Sequence, residues 1–161
     1  MIKRLTQTPD DAVFTLLRLF LGVVFFAHGA QKALGLFGGY GFAGTVQGFT
    51  HMGMPAALAV FVILTEFLGS ICLLLVAFTR LAGLAITALM LGAIFMVHAS
   101  NGFFMNWFGQ QKGEGFEYHL LAIALALGLA IRGAGAYSVD RVITSDRTQS
   151  TGVRGAARAQ V

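Results

Sequence analysis

The chain has 161 residues, of which 57% are hydrophobic and only 11% are charged. Soluble domains carry about 25% charged residues, so this chain has too little polar surface to cover a water-soluble globule of its size. The composition therefore predicts an integral membrane protein in contact with the lipid bilayer. Its net charge of +4 comes from scattered basic residues rather than from an aromatic-interleaved basic patch, so nucleic acid is not an expected partner.

Four apolar stretches each approach the length of about 20 residues that a helix needs to cross a bilayer. They cover residues 13–34, 55–78, 81–98 and 116–131. Lys3 and Arg4 before the first stretch imitate a signal peptide, but Arg18 inside the apolar run argues against cleavage and indicates a retained span. The predicted fold class is an all-α integral membrane protein, built as a four-transmembrane-helix bundle.

The basic residues outside the apolar stretches predict how the chain is oriented in the membrane. Lys32 and Lys112 fall on one side, and the other side receives Lys3, Arg4, Arg80, Arg132, Arg141, Arg147, Arg154 and Arg158. Because cytoplasmic loops carry the excess of Lys and Arg, a multi-pass protein with both termini in the cytoplasm is expected. The predicted divisions are a cytoplasmic N-terminus at residues 1–12, a membrane domain at 13–143 and a disordered basic cytoplasmic tail at 144–161.

The first long loop, which this orientation places outside the cell, contains a short helical pattern. Phe42, Val46 and Phe49 recur at the i, i+4 and i+7 spacing of one helix face, and Gly53 and Pro55 end the pattern. This spacing predicts a short amphipathic helix that lies in the membrane interface.

Ionisable residues within the apolar stretches are the first candidates for function, because placing one in the middle of a bilayer costs about 2.5–3.5 kcal/mol. Glu66 lies near the centre of the second stretch, and Arg18 lies within the first. We expect the two to pair across facing helices. The pair is either a structural clamp that fixes the helix register or a site in which Glu66 is a protonatable carboxylate.

A second polar group lies at the end of the first stretch. His28 and Lys32 are four residues apart and share one helix face, while Gln31 lies to one side of that face. Lys32 alone is explained by snorkelling towards water, but His28 beneath it favours a site.

Further polar residues end the third stretch and begin the fourth. His98 is explained either by a favourable contact with a helix dipole or by a site. Glu117 and His119 are separated by about 200° on the helical wheel, so only one of them can face the interior. We expect Glu117 to be that residue, with helix capping as its alternative role. Together, these residues predict a polar cavity that opens outward.

The fourth stretch also carries a ridge of small residues, Ala122, Ala126 and Ala130. Such a ridge lets another helix approach closely. The approaching helix belongs either to the same bundle or to a second copy of the chain in a homo-oligomer.

Five segments in this order and spacing carry a resemblance to a known family: LLRLFLGVVFFAHGAQKALG, GMPAALAVFVILTEFLGSICLL, TRLAGLAITALML, GFEYHLLAIALAL and GAGAYSVD. The chain resembles the DoxX family of small bacterial membrane proteins over residues 13–143. The resemblance implies a four-helix bundle in the bacterial inner membrane. The positions that match the family motifs are Arg18, His28, Gln31, Lys32, Glu66, Arg80, His98, Glu117 and Asp140.

The first functional hypothesis is a membrane redox module that binds a quinone. The family takes its name from a subunit of a thiosulfate:quinone oxidoreductase, and other members look like parts of oxidative-stress and sulfur-handling complexes. The predicted acid–base residues are Glu66, His28 and Glu117, and the predicted cofactor-binding residues are Lys32, Gln31, His98 and Arg18. Because the sequence has no dinucleotide fingerprint, no nucleotide cofactor is expected and the electrons would come from a partner.

Other classes of function remain open. One is a non-catalytic membrane anchor or assembly module, which would contact a soluble redox enzyme through the basic tail and Arg80. Another is a haem or metal protein, for which His28 and His98 are the only plausible haem ligands. The Glu-x-x-His spacing of di-metal bundles is absent, so haem and metal are not expected. A transporter is disfavoured by the small number of spans.

Overall fold

The computed structural model describes residues 11–135, and within this range the chain forms five α-helices and no β-strand. The helices are α1 (Ala12–Leu34), α2 (Gly41–His51), α3 (Ala56–Leu75), α4 (Thr79–Ala93) and α5 (Glu117–Arg132). A π-helical turn, Ile94–His98, and a 3-10 turn, Ala99–Asn101, continue α4. The all-α prediction is confirmed. The predicted tail at 144–161, nearly all of the predicted N-terminus at 1–12 and the family position Asp140 lie outside the described residues.

Local signals in the sequence explain where the helices begin and end. Asp11 precedes α1, and its carboxylate accepts a hydrogen bond of 2.8 Å from the backbone N–H of Val13. Gly35 ends α1 with a φ of 73°, a left-handed conformation that glycine adopts without strain. The chain reverses between α3 and α4 over only three residues, 76–78.

In the part of the chain that the structure describes, three helices are long and apolar enough to cross a membrane: Ala12–Leu34, Ala56–Leu75 and Thr79–Asn101. They match the first three predicted spans. The fourth predicted span corresponds to α5, which has 16 residues and is about 24 Å long, shorter than the hydrocarbon core of about 30 Å. The outward faces of the helices carry large exposed apolar side chains, such as Phe20, Leu64 and Leu121, which suit contact with lipid.

The helices associate as two close pairs, α1 with α3 and α4 with α5. In the first pair, a Cβ atom added at Gly29 would lie 2.6 Å from the Cα and N atoms of Phe67, so only glycine permits this approach. In the second pair, a Cβ atom at Gly83 would lie 2.6 Å from the carbonyl oxygen of Ala126. Both pairs contribute to one apolar core, formed by Leu21, Phe25, Leu73, Ala82, Ile86, Leu89, Met90, Ala122, Ala126 and Leu129.

The small-residue ridge of α5 is used inside the molecule. Ala122 and Ala126 are buried, and Gly83 of α4 lies against the α5 backbone between Ala126 and Ala130. The ridge therefore serves packing within the molecule, which is the first of the two predicted alternatives. The physical reason is that α4 already occupies the groove that the small side chains create.

Candidate functional site

A cavity of about 400 Å³ separates the two helix pairs at the end of the molecule that contains Lys32, here called the Lys32 end. Helices α1 and α3 form one wall, and α4 with the beginning of α5 forms the other. Phe49 near the end of α2 and Met52 just after it also line the cavity. Most of the wall is apolar, and its polar residues are His28, Lys32, Glu66, His98, Glu114, Tyr118 and His119.

The central polar feature is an ion pair between α1 and α3. The Lys32 ammonium donates to Glu66 Oε2 at 2.5 Å, with side-chain exposures of 24% and 9%. The hydroxyl of Thr45 on α2 donates to the carbonyl oxygen of Lys32 at 3.3 Å, so α2 is tied to the same turn. The ammonium carries three protons, and a ligand in the cavity can accept those that Glu66 does not.

The predicted ion pair between Arg18 and Glu66 is wrong. Arg18 is buried and donates instead to the carbonyl oxygen of Leu73 at 2.5 Å. Leu73 lies seven residues after Glu66 on α3, about 10 Å further along the helix. Because Gly29 packs beside Phe67 and Gly22 beside Leu74, the register of the antiparallel pair places Lys32, and not Arg18, beside Glu66. Arg18 therefore lies away from the cavity.

His28 is the accessible imidazole of the site. It lies one turn before Lys32 on α1, lines the cavity and has an exposed side chain. Its ring faces that of Tyr118 on α5, with 6.5 Å between the ring centroids. The two rings are tilted by 51° to each other, so His28 and Tyr118 bring polar atoms to the cavity from opposite helix pairs.

Two further imidazoles meet on the opposite wall. The rings of His98 and His119 have centroids 4.1 Å apart. His98 Nδ1 lies 2.8 Å from the carbonyl oxygen of Glu114, and because a carbonyl only accepts, this nitrogen carries the proton. In the neutral ring, Nε2 of His98 is then a hydrogen-bond acceptor. His119 is only 6% exposed, and its Nδ1 has no hydrogen-bond partner in the described part of the chain.

The expectation that Glu117 rather than His119 faces the interior is wrong. Glu117 Oε1 accepts hydrogen bonds from the backbone N–H of Met105 at 3.0 Å and from Trp107 Nε1 at 3.3 Å. These donors belong to the loop between α4 and α5, so Glu117 orders that loop, and His119 lines the cavity. The helical wheel predicted that only one of the two residues faces inward. The donors that hold Glu117 against the loop, Met105 and Trp107, lie ten to twelve residues earlier in the sequence, so the pattern of α5 alone did not reveal them.

Glu117→Ala is expected to loosen the loop between α4 and α5. Hydrogen bonds to a charged acceptor are worth about 1.5–3 kcal/mol, so the Met105 amide should exchange its hydrogen about tenfold faster or more. Hydrogen exchange followed by mass spectrometry of the loop peptide measures this change. The matched control is Gln110→Ala, an exposed position in the same loop. Equal exchange in the two variants would contradict the role of Glu117.

Gln31 and Arg80 have structural contacts outside the cavity. Gln31 Nε2 donates to the carbonyl oxygen of Phe37 at 3.1 Å and so braces the turn that follows α1. Arg80 Nη1 donates to the carbonyl oxygen of Ile131 at 2.7 Å, at the C-terminal end of α5. The structure therefore brings together Lys32, Glu66, His28 and His98 from the predicted set, and it places Gln31, Arg18 and Glu117 elsewhere.

All five methionines within residues 11–135 line the cavity: Met52, Met54, Met90, Met96 and Met105. Sequence reasoning missed them, because they come from loops and from one helix and show no common spacing. Methionine is unbranched and polarisable, and it conforms to ligands of different shape. Among residues 11–135, no group of three or more His, Cys, Asp or Glu side chains lies close enough to hold a metal ion.

These features define a helical membrane protein with an apolar, methionine-rich cavity and an ion pair in its wall. The chain belongs to the DoxX family, whose model matches residues 13–99. The resemblance predicted from the sequence is thus confirmed. The match includes His28, Lys32, Glu66 and His98 and ends before α5, which contributes Tyr118 and His119.

Two curated proteins are similar to this chain. "Putative oxidoreductase CatD" of Bacillus subtilis (strain 168) is 30% identical over 114 residues, which cover 71% of this chain and 75% of that protein. "Inner membrane protein YqjF" of Escherichia coli (strain K12) is 30% identical over 134 residues, which cover 83% of this chain and 94% of that protein. No solved structure matches the chain.

Proposed function

We propose that the protein is a four-span inner-membrane protein that binds a quinone headgroup in this cavity, as part of a membrane-associated oxidoreductase system. The observation that carries the proposal is the Lys32–Glu66 pair beside the accessible His28, in a cavity that is otherwise apolar. The volume of about 400 Å³ lies within the range of about 300–1,000 Å³ that is usual for small-molecule sites.

The packing of α5 supports a fourth crossing of the membrane. At the Lys32 end, His119 lies against His98, and at the opposite end Arg80 donates to the carbonyl oxygen of Ile131. Helix α5 therefore runs antiparallel to α4 over nearly the whole depth of that span. Crossing the bilayer four times would leave both termini on one side, and Arg80 and Arg132 favour the cytoplasm for that side. Helix α2 would then lie at the outer interface.

The polar groups suit the two ends of a quinone ring. Each quinone carbonyl accepts a hydrogen bond, and Lys32 and His28 supply donors on one wall of the cavity. Tyr118 offers a hydroxyl on the facing wall. Reduction of a quinone to a quinol takes up two electrons and two protons. In this proposal Glu66 and His28 would pass on the protons, and a reduced redox partner, as in an oxidoreductase complex, would supply both electrons.

In the alternative function, a membrane anchor or assembly module, a soluble redox enzyme docks at the cytoplasmic end through the basic tail at 144–161. The partner that reduces the quinone would instead approach the cavity at the Lys32 end. Arg80 was the other candidate for this contact, but its guanidinium bonds to the carbonyl oxygens of Ile131 and Arg132. The tail lies outside the described residues. The name of the Bacillus subtilis relative, "Putative oxidoreductase CatD", favours a redox partner over a purely structural one.

His28→Ala is expected to weaken the binding of menadione, a quinone without an isoprenoid chain, by about tenfold. This change corresponds to a loss of ~1.4 kcal/mol of binding free energy. The substitution removes an accessible hydrogen-bond donor from the cavity wall and leaves the ion pair in place. Isothermal titration calorimetry of the full chain in lipid nanodiscs measures the affinity. Gln31→Ala, three residues away and outside the cavity, is the matched control. If the original chain does not bind menadione, or if both variants bind as it does, the proposal fails.

A further inference from the structure

The cavity has an opening on the side of the molecule, between α3 and the last turns of α4. Phe61 on α3 and Met96 on the π-helical turn both line the cavity, yet they are 47% and 53% exposed. Both belong to helices that are apolar and long enough to cross the membrane, so this side of the protein meets lipid. Residues that combine a cavity-facing and an exposed surface lie at openings of the cavity, and Met52, which is 69% exposed, marks a second one beside α2.

The packing explains why the opening lies between these two helices. Gly29 brings α3 close to α1, and Gly83 brings α4 close to α5, so each pair is tightly closed. Gly92 on α4 differs from both, because a Cβ atom added there would meet nothing within 4 Å. It nevertheless lines the cavity. Here the missing side chain leaves space open instead of allowing close packing.

The lining of the cavity becomes less polar from the Lys32–Glu66 ion pair towards the rim of the opening between α3 and α4. Lys32, Glu66 and His28 lie on the wall formed by α1 and α3, whereas the rim consists of Phe61, Met96 and the backbone at Gly92. A ligand that matches both parts has a polar headgroup and a long apolar substituent. The π-helical turn after Ala93 adds irregular geometry at the rim, a feature that is frequent at functional sites.

We infer that the cavity takes its ligand laterally from the bilayer, through the opening between α3 and α4 beside Gly92. The ligand is a lipid-soluble quinone whose headgroup lies near Lys32 and His28 and whose isoprenoid chain passes out beside Gly92 into the lipid. This inference rests on the proposed function and adds the class of quinone and the direction from which it arrives. A quinone without a chain does not need the opening once it is inside.

The test compares two quinones that share one headgroup, menadione and menaquinone-4, with the full chain in nanodiscs. Gly92→Leu fills the open space at the rim. It is expected to weaken menaquinone-4 binding by about tenfold or more while menadione binding changes by less than about threefold. Leu91→Phe is the matched control, because Leu91 is the neighbouring residue on α4, is 42% exposed and does not line the cavity. It should leave both affinities unchanged.

The outcomes separate this inference from the proposed function. If the original chain binds both quinones and Gly92→Leu weakens them equally or not at all, lateral access is wrong and the headgroup site stands. If the original chain binds neither quinone, both proposals fail. Gly92→Ala provides a second variant that folds readily, since its methyl group meets nothing. It should weaken menaquinone-4 binding less than Gly92→Leu does, and the reverse order would overturn the inference.

Discussion

Lys32→Met is expected to lower the free energy of unfolding by about 3 kcal/mol, the largest loss we expect from any single polar residue in the chain. The substitution leaves the Glu66 carboxylate, only 9% exposed, without its partner across the α1–α3 interface. Breaking a buried ion pair costs about 3–5 kcal/mol, and the partial exposure of Lys32 places this case at the lower end of that range. Equilibrium unfolding in mixed detergent, followed by circular dichroism, measures the change.

A double-mutant cycle assigns the loss to the pair. Lys32→Met combined with Glu66→Leu should be more stable than Lys32→Met alone, because it removes the stranded charge as well. Gln31→Met controls for adding the same side chain at the neighbouring position. If Lys32→Met unfolds at the same detergent ratio as the original chain, the contact does not contribute to stability and the site is more hydrated than the structure indicates.

Gly29→Ala is expected to destabilise the α1–α3 pair by about 2 kcal/mol. The added Cβ atom would lie 2.6 Å from the Cα and N atoms of Phe67, and backbone atoms cannot move aside as a flexible side chain can. Overpacking typically costs about 1–3 kcal/mol, and the better helix propensity of alanine, worth about 1 kcal/mol, offsets part of it. Because Glu66 precedes Phe67 on α3, pushing the helices apart should also weaken the Lys32–Glu66 contact.

The matched control for Gly29→Ala is Gly92→Ala, since both change a helical glycine but only one of them meets the facing helix. We expect Gly92→Ala to leave the thermal unfolding midpoint unchanged or to raise it slightly. The measurements are the thermal unfolding midpoint and the affinity for menadione. Equal midpoints for the two variants would show that the close approach of α1 and α3 at Gly29 is not needed for stability.

The sequence was sufficient to predict the helices and the family. The first helix was predicted at 13–34 and observed at Ala12–Leu34, and the third span was predicted at 81–98 and observed within Thr79–Asn101. These agreements arise because length, hydropathy and end signals such as Gly35 are local properties of a segment. The candidate cavity was also anticipated in outline, because four of its polar residues, among them His28 and Glu66, were chosen for their position within apolar stretches.

Which side chains meet was decided only by the tertiary structure. Glu66 pairs with Lys32 rather than Arg18, and His119 rather than Glu117 faces the cavity. Depth estimates along single helices cannot distinguish such alternatives, because the register between neighbouring helices depends on where their surfaces fit most closely. In this protein that position is set at Gly29, where the absence of one methyl group brings the backbone of α3 against α1 and carries Glu66 within reach of Lys32.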